Sequence, residues 1–287
     1  MKAVWVTRSF LDYRIPVYRE VGERLGGRLT LFYNADYVPK RCRDKVQRVL
    51  GVGAKGMFGE RAFTRSSQSG FANEGMRLPY QPGLVRAILN EKPDVLISDG
   101  FFQWTYAALW LRATRGIPHV MCYERTAHTE RKCQWYRIAY RKLVMRYIDA
   151  MCCNGRLCGE YVRDLGFPAE RITYGHMAAD VEGLGQAASR VSGTQTLALK
   201  ARRELTGLVY LYVGQLIPRK GIDRLLTAWR LFSAHVKPGE VTLLLVGDGS
   251  QRSELERYCA LNHLLNVRFA GAVDYDTLVV YYRAADV

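Results

Sequence analysis

Two short apolar runs that each stop at a glycine hold the residues best placed to do chemistry. Leu208 to Gly221 reads LVYLYVGQLIPRKG, and Val241 to Gly249 reads VTLLLVGDG. Between them Ile222, Leu225, Leu226, Trp229 and Phe232 recur at helical spacing, so the segment predicts a strand–helix–strand unit. A strand that ends at Gly214 and turns into a helix lets backbone N–H groups and the positive helix end approach an anion. Arg219 and Lys220 add two cations at that turn, and Gly247 and Gly249 permit close backbone approach at the next. The pattern suits binding of a phosphate or diphosphate. A solvated basic pair before a helix is the plainer alternative for Arg219 and Lys220.

A second set of candidates follows the strands of the first half. Val4 to Thr7 reads as a buried strand and is followed by Asp12, Tyr13 and Arg14; Val95 to Ser98 runs into Asp99-Gly100. Ile117 to Tyr123 ends in Glu124-Arg125-Thr126, with His128 and Arg131 close behind. In α/β domains the carboxyl edge of the sheet is where ligands bind. Glu124 is therefore a candidate for an active-site carboxylate and His128 a second one, while pairing of Glu124 with Arg125 or Arg131 is the ordinary alternative. Asp12, Tyr13 and Arg14 are candidates at the same edge, with helix capping as the competing reading.

Two motifs match known chemistry only in spelling. Gly51-Val52-Gly53-Ala54-Lys55-Gly56 fits G-x-G-x-x-G, but that fingerprint needs a buried strand before it, and Lys45 to Leu50 is charged and helical in pattern. Asp274-Tyr275-Asp276 has the D-x-D spacing of some metal sites, yet it lies between the strand Val267 to Ala270 and the helix Thr277 to Arg283, where aspartates suit capping. The five histidines are scattered, without the clustered spacing that zinc requires. Neither a metal nor a nicotinamide or flavin cofactor is expected.

The elements that must hold these residues alternate between strand and helix. Strands are expected at Leu29 to Tyr33 and Ala150 to Cys153, with helices at Ile15 to Leu25, Leu84 to Asn90, Trp104 to Thr114 and Gly159 to Leu165. Residues 35–81 are glycine-rich and basic and read as an excursion off the first domain. Residues 178–206 are small and polar and read as a linker, so the expected division is 1–177, the linker, and a partial second domain at 207–287. A length of 287 with 48% hydrophobic residues is ample for two packed domains.

Lys and Arg outnumber Asp and Glu by 15, which favours anionic partners: nucleic acid, lipid headgroups or nucleotide diphosphates. No recognition module for nucleic acid is present. Two basic segments interleave with aromatics, Lys40 to Arg48 and Arg137 to Arg146, and suit either a solvated helix face or contact with anionic lipid. Seven cysteines without C-x-x-C spacing fit a reducing compartment. With no apolar run near ~20 residues and no signal-peptide core, a cytoplasmic protein, peripheral at the inner face of the membrane, is expected.

The run LVYLYVGQLIPRKG, the Gly-Asp-Gly after the second strand, Asn266 to Gly271 (NVRFAG) and the closing LVVYYRAADV together resemble the C-terminal domain of retaining glycosyltransferases of family 4. That resemblance implies a GT-B type α/β fold, two Rossmann-like domains with parallel sheets, the second incomplete. It implies transfer of a sugar from a nucleotide-diphosphate donor to a glycan or lipid-linked acceptor, with the nucleotide sugar a substrate and no cofactor. It places donor diphosphate binding at Gly214, Arg219, Lys220, Gly247 and Gly249, puts Glu124 where the family often has a histidine or acid facing the sugar, and makes Asp12, Tyr13 and Arg14 acceptor contacts. The family often has an arginine after the strand-ending glycine, where Gln215 stands here, and its next segment carries two glutamates eight positions apart, a spacing found nowhere in these 287 residues. A chain that binds an anionic glycan, lipid or nucleotide without turnover is the alternative.

Overall fold

The computed structural model describes residues 1–65, 76–176 and 178–287. It divides into two compact units, Met1–Asp180 and Val181–Val287.

In the first unit the strands are β1 (Ala3–Val6), β2 (Leu29–Asn34), β3 (Ala54–Met57), β4 (Arg61–Arg65), β5 (Met76–Tyr80), β6 (Val95–Asp99), β7 (His119–Tyr123), β8 (Ala150–Cys153) and β9 (Ile172–Tyr174). Its helices are α1 (Ile15–Arg24), α2 (Lys40–Leu50), α3 (Leu84–Asn90), α4 (Thr105–Arg115), α5 (Trp135–Val144) and α6 (Arg156–Asp164). Seven strands form a sheet in the order β3-β2-β1-β6-β7-β8-β9, and every pairing in it is parallel. β4 and β5 make a separate antiparallel hairpin.

Parallel sheets are covered on both faces, which is why their strands read as continuous apolar runs. β1 shows this residue by residue. Ala3 and Trp5 join a core with Tyr18 of α1 and Cys42 and Val46 of α2, while Val4 and Val6 join one with Leu84 and Ile88 of α3 and Trp104, Ala107 and Leu111 around α4. Each buried Val, Leu or Ile among these contributes about 1.5–3 kcal/mol. A third cluster packs α5 and α6 against β7 and β8 through Met121, Tyr123, Val144, Met151 and Val162.

Two expectations for this unit change. Within the 35–81 excursion, α2 is a regular helix on the core and β3 is the edge strand of the large sheet, so the basic composition of this stretch hides ordinary α/β elements. Residues 66–75 of that excursion, and Met177, lie outside the described residues. The G-x-G-x-x-G stretch follows a helix and opens β3, the reverse of the strand-to-helix order that a dinucleotide turn needs.

In the second unit β10 (Leu208–Val213), β11 (Val241–Val246) and β12 (Val267–Gly271) form a parallel three-stranded sheet. Its helices are α7 (Val181–Ser189), α8 (Gly193–Arg202), α9 (Ile222–Ser233), α10 (Arg252–Leu261) and α11 (Tyr275–Ala284). The central strand β11 is buried along its whole length. One face packs on Ile222, Leu226, Trp229 and Leu255, the other on Leu199, Leu278 and Tyr281.

The segment 178–206, expected as a linker, is largely helical. It folds into α7 and α8, both of which pack against α11. A capping box starts α8: the Ser192 hydroxyl accepts from the Gln195 N–H while the Gln195 side chain accepts from the Ser192 N–H. Among the described residues no helix is long and apolar enough to cross a membrane.

Candidate active site

In the first unit the chain leaves β1 toward β2 on one side and returns to β6 on the other, so the strand order reverses between β1 and β6. Open α/β sheets bind ligands outside the carboxyl ends of the strands at such a switch point. A cavity of about 390 Å³ sits there. Arg8, Ser9, Phe10, Tyr13 and Arg14 reach it from the segment after β1, Asp99 to Gln103 from the end of β6, Cys122 to Arg125 from β7, Asn154 from β8, and Arg137 and Arg141 from α5.

Each cation of this cavity is held by a specific neighbour. Arg8 grips Glu60 through Nε at 2.8 and 3.0 Å and through a terminal nitrogen at 2.9 Å, and Trp104 Nε1 donates to the same carboxylate at 2.7 Å. Burial raises the Glu60 pKa, but these donors outweigh it and the carboxyl titrates below its ordinary value. Arg14 donates to Asp99 Oδ1 at 3.0 Å, and Trp5 Nε1 donates to the same oxygen at 3.3 Å. Burial pushes the Asp99 carboxyl up, and the Arg14 charge opposes the shift without cancelling it. Arg141 donates to Glu130 at 2.5 Å and to the Tyr161 hydroxyl at 2.8 Å. The guanidinium groups of Arg137 and Arg141 lie 5.2 and 5.5 Å from the Phe102 ring.

Three of the five candidates from the first half reach this cavity and two do not. Tyr13, Arg14 and Glu124 line it; Glu124 is exposed and its carboxylate makes no hydrogen bond or ion pair with any described residue. Asp12 is buried behind α1 instead, accepting from Arg41 at 3.1 Å, Cys42 at 3.3 Å and Lys45 at 2.9 Å. Its own burial raises its pKa, but the Lys45 and Cys42 hydrogen bonds and the nearby charges bring it below the usual value. It caps no helix with its side chain. His128 is exposed outside the cavity lining, and its carbonyl accepts from Arg131 at 2.7 Å.

Sequence reasoning missed Arg8, Glu60, Arg137 and Arg141. For the last two the signal was present: Arg137, Arg141 and Val144 stand at i, i+4 and i+7, the spacing of one helix face, and all three are buried. The two arginines of this basic segment thus point inward, whereas Trp135 and Lys142 remain exposed.

In the second unit the two glycine-ended strands converge backbone to backbone. Gly214 donates to Val246 at 2.9 Å, Leu216 to Asp248 at 3.0 Å and Gln251 to Leu216 at 3.0 Å. A Cβ on Gly247 would lie 1.8 Å from the Gly214 carbonyl oxygen, and one on Gly249 would lie 2.4 Å from that of Leu216. This close approach by itself requires glycine at both positions. Asp248 accepts from the Gly249 N–H at 2.7 Å and pairs with Arg252 at 3.4 Å, so it serves the turn. Asp274 takes the N-cap position of α11.

After Ile217 the chain makes a single 3-10 turn, Pro218–Lys220, and Gly221 enters α9 with φ +66°. No side chain caps that helix start. Arg219 and Lys220 are exposed, and neither side chain makes a hydrogen bond or ion pair among the described residues. Two cations without partners beside an uncapped helix N-terminus at the carboxyl edge of a parallel sheet can take a phosphate group.

Residues 21–176 match the family model "Glycosyl transferase 4-like domain" and residues 207–287 match "Glycosyl transferases group 1". No curated protein matches the chain. Among solved structures, Anabaena HepE in complex with UDP and glucose is similar over 100% of this chain and 73% of its own, with a TM-score of 0.66 and 14% identity. A glycosyltransferase from Rickettsia africae is similar over 99% and 71%, with a TM-score of 0.66 and 9% identity. The UDP-GlcNAc 2-epimerase from Neisseria meningitidis bound to UDP-GlcNAc is similar over 99% and 76%, with a TM-score of 0.60 and 13% identity. Identities this low establish the shared fold. The two family matches establish more: the chain belongs to the glycosyltransferases, with the GT-B fold and a 4-like first domain.

Proposed function

We propose that the protein transfers a sugar from a nucleotide-diphosphate donor to an acceptor hydroxyl, with retention of anomeric configuration. The observation that carries this reading is the turn between β10 and α9, where Arg219 and Lys220 stand without partners among the described residues beside an uncapped helix start. Charge developing on a leaving diphosphate is stabilised by cations and N–H dipoles already in place. HepE was solved with UDP and with UDP-glucose, which supports a nucleotide-sugar donor here.

The cavity of the first unit is assigned to the acceptor, a glycan or lipid-linked molecule. Tyr13 and Arg14 are its contacts and Glu124, unpaired among the described residues, its carboxylate, poised to meet a polar reacting group. The work this implies is polysaccharide or glycolipid synthesis in the cytoplasm, next to an anionic membrane. The test is incubation of the full chain with UDP-, GDP-, dTDP- and ADP-sugars and lipid-linked or oligosaccharide acceptors. Formation of free nucleoside diphosphate in step with a glycosylated product, its anomeric proton matching the donor by NMR, supports the reading. An inverted product removes retention, and absence of acceptor-dependent release with all four donors removes transfer.

A further inference from the structure

Two cysteines meet at the carboxyl edge of the large sheet. Cys122 of β7 stands in register with Cys152 of β8, flanked in the same row by Asp99 of β6 and Thr173 of β9. Residues in register on parallel strands project to the same face, here the one that carries Trp5 and Tyr18. Neighbouring strands lie about 4.8 Å apart, inside the window of roughly 4.4–6.8 Å between Cα atoms that a disulfide spans. Each cysteine is one residue from the end of its strand, where the backbone can shift to close a bond.

The two thiols are chemically unequal. The Cys122 thiol donates to the Cys152 sulfur, and that hydrogen bond does most to hold Cys152 below the ordinary thiol pKa; burial opposes it, and Thr173, the Gly175 N–H and the Arg14 charge add to it. Cys122 is held well above the ordinary value by the same hydrogen bond and by burial. Gly175 lets the backbone close on the sulfur, since a Cβ there would lie 2.5 Å from Cys152 Sγ. Both thiols are half-buried, and Cys122 opens onto the cavity of the first unit. Cys153 and Cys158, by contrast, are sealed in the core, with Cys158 donating to the Tyr123 carbonyl at 3.3 Å.

We infer that Cys122 and Cys152 are a modification site, closed to a reversible disulfide by a hydroperoxide. The Cys152 thiolate attacks one oxygen of hydrogen peroxide, the O–O bond breaks, and a sulfenic acid and, once the departing oxygen takes a proton, water are formed. The Cys122 sulfur then attacks the Cys152 sulfur, the S–O bond breaks, and the hydroxide leaves as water with the Cys122 proton. Two thiols lose two electrons and one peroxide becomes two waters. The bond ties β7 to β8 and removes the Cys122 thiol from the cavity wall beside Asp99. Where that cavity takes the acceptor, oxidation slows transfer and dithiothreitol restores it. That consequence rests on the transfer reading; the bond itself does not.

The test is peptide mapping of the full chain after brief exposure to hydrogen peroxide and alkylation of the remaining thiols. The expected result is a loss of two hydrogens per chain, a cross-link that fragmentation assigns to Cys122 and Cys152, and its reversal by dithiothreitol. Cys122→Ser should instead leave a Cys152 sulfenic acid that dimedone captures, and Cys152→Ser should give neither cross-link nor adduct. Should either variant fail to fold, the wild-type map still decides, because it uses the native chain. Full alkylation of both cysteines after peroxide, a bond from Cys122 to Cys153, or a bond between chains overturns the proposal. Transfer by the cross-linked chain, measured before and after dithiothreitol, reads the second consequence, and an unchanged rate removes the control of transfer.

Discussion

Asp99 ends β6 with its carboxylate 3.0 Å from the Arg14 guanidinium, joining the two strands on either side of the switch point through one ion pair. The side chains keep 20% and 25% of their exposure, so each is only partly desolvated. Removing Arg14 leaves the Asp99 charge with Trp5 as a donor and no cation.

Arg14→Ala is therefore expected to lower stability by about 1–3 kcal/mol, between the values for exposed and buried pairs. It should also raise the Asp99 pKa further, because the opposing charge is gone. Chemical denaturation measures the first effect and NMR titration of the carboxyl the second.

His119 supplies a pH dependence. Its ring is fully buried, with Nε2 2.8 Å from the Ser98 hydroxyl and Nδ1 3.1 Å from the Tyr147 carbonyl, and burial lowers its pKa from 6.5 to about 4. The unfolded chain then takes up this proton at a higher pH than the folded one. The stabilisation is complete above about pH 6.5 and is lost as pH falls to about 4, a change on the order of 3 kcal/mol. Denaturation midpoints measured across that window should fall with pH, and His119→Gln should flatten the slope.

Gly247 has φ +144° and no room for a Cβ beside the Gly214 carbonyl. Gly247→Ala should cost about 3 kcal/mol or more, because both strain and a backbone clash are introduced. Limited proteolysis should then cut residues 207–287 before the first unit.

Glu124 is exposed and without hydrogen bonds among the described residues, so Glu124→Gln should leave stability within about 0.5 kcal/mol of wild type. If its carboxylate meets the reacting groups, transfer should fall at least about a hundredfold. An unchanged rate would assign it to the cavity rim.

How far these residues could be read in advance depended on distance along the chain. The turn at Arg219 and the paired glycines were legible because one strand–helix–strand unit brings them together within about forty residues, a span in which local periodicity carries the fold. The switch point was half legible: Asp99 and Glu124 end predicted strands, but Arg14, the partner of Asp99, and Arg141, which lines the same cavity, arrive from other elements. Asp12 was misplaced because its three partners, Arg41, Cys42 and Lys45, sit on a helix hidden in a stretch that looked irregular. The helices of the expected linker went unread for a similar reason. Glycines and serines in 178–206 masked the Ser192–Gln195 capping box, a helix signal that outweighs composition.

The most direct measurement is thermal stabilisation of the full chain by UDP, GDP, dTDP and ADP, with Arg219→Ala and Lys220→Ala as comparisons. Both side chains are exposed and unpartnered among the described residues, so neither variant should change the melting temperature without ligand. A nucleotide at a hundred times its dissociation constant adds about 2.7 kcal/mol to the folded state. The expected result is a rise in melting temperature with one of the four bases, much reduced in both variants. Stabilisation that survives both substitutions, or none with any of the four, contradicts donor binding at the β10–α9 turn.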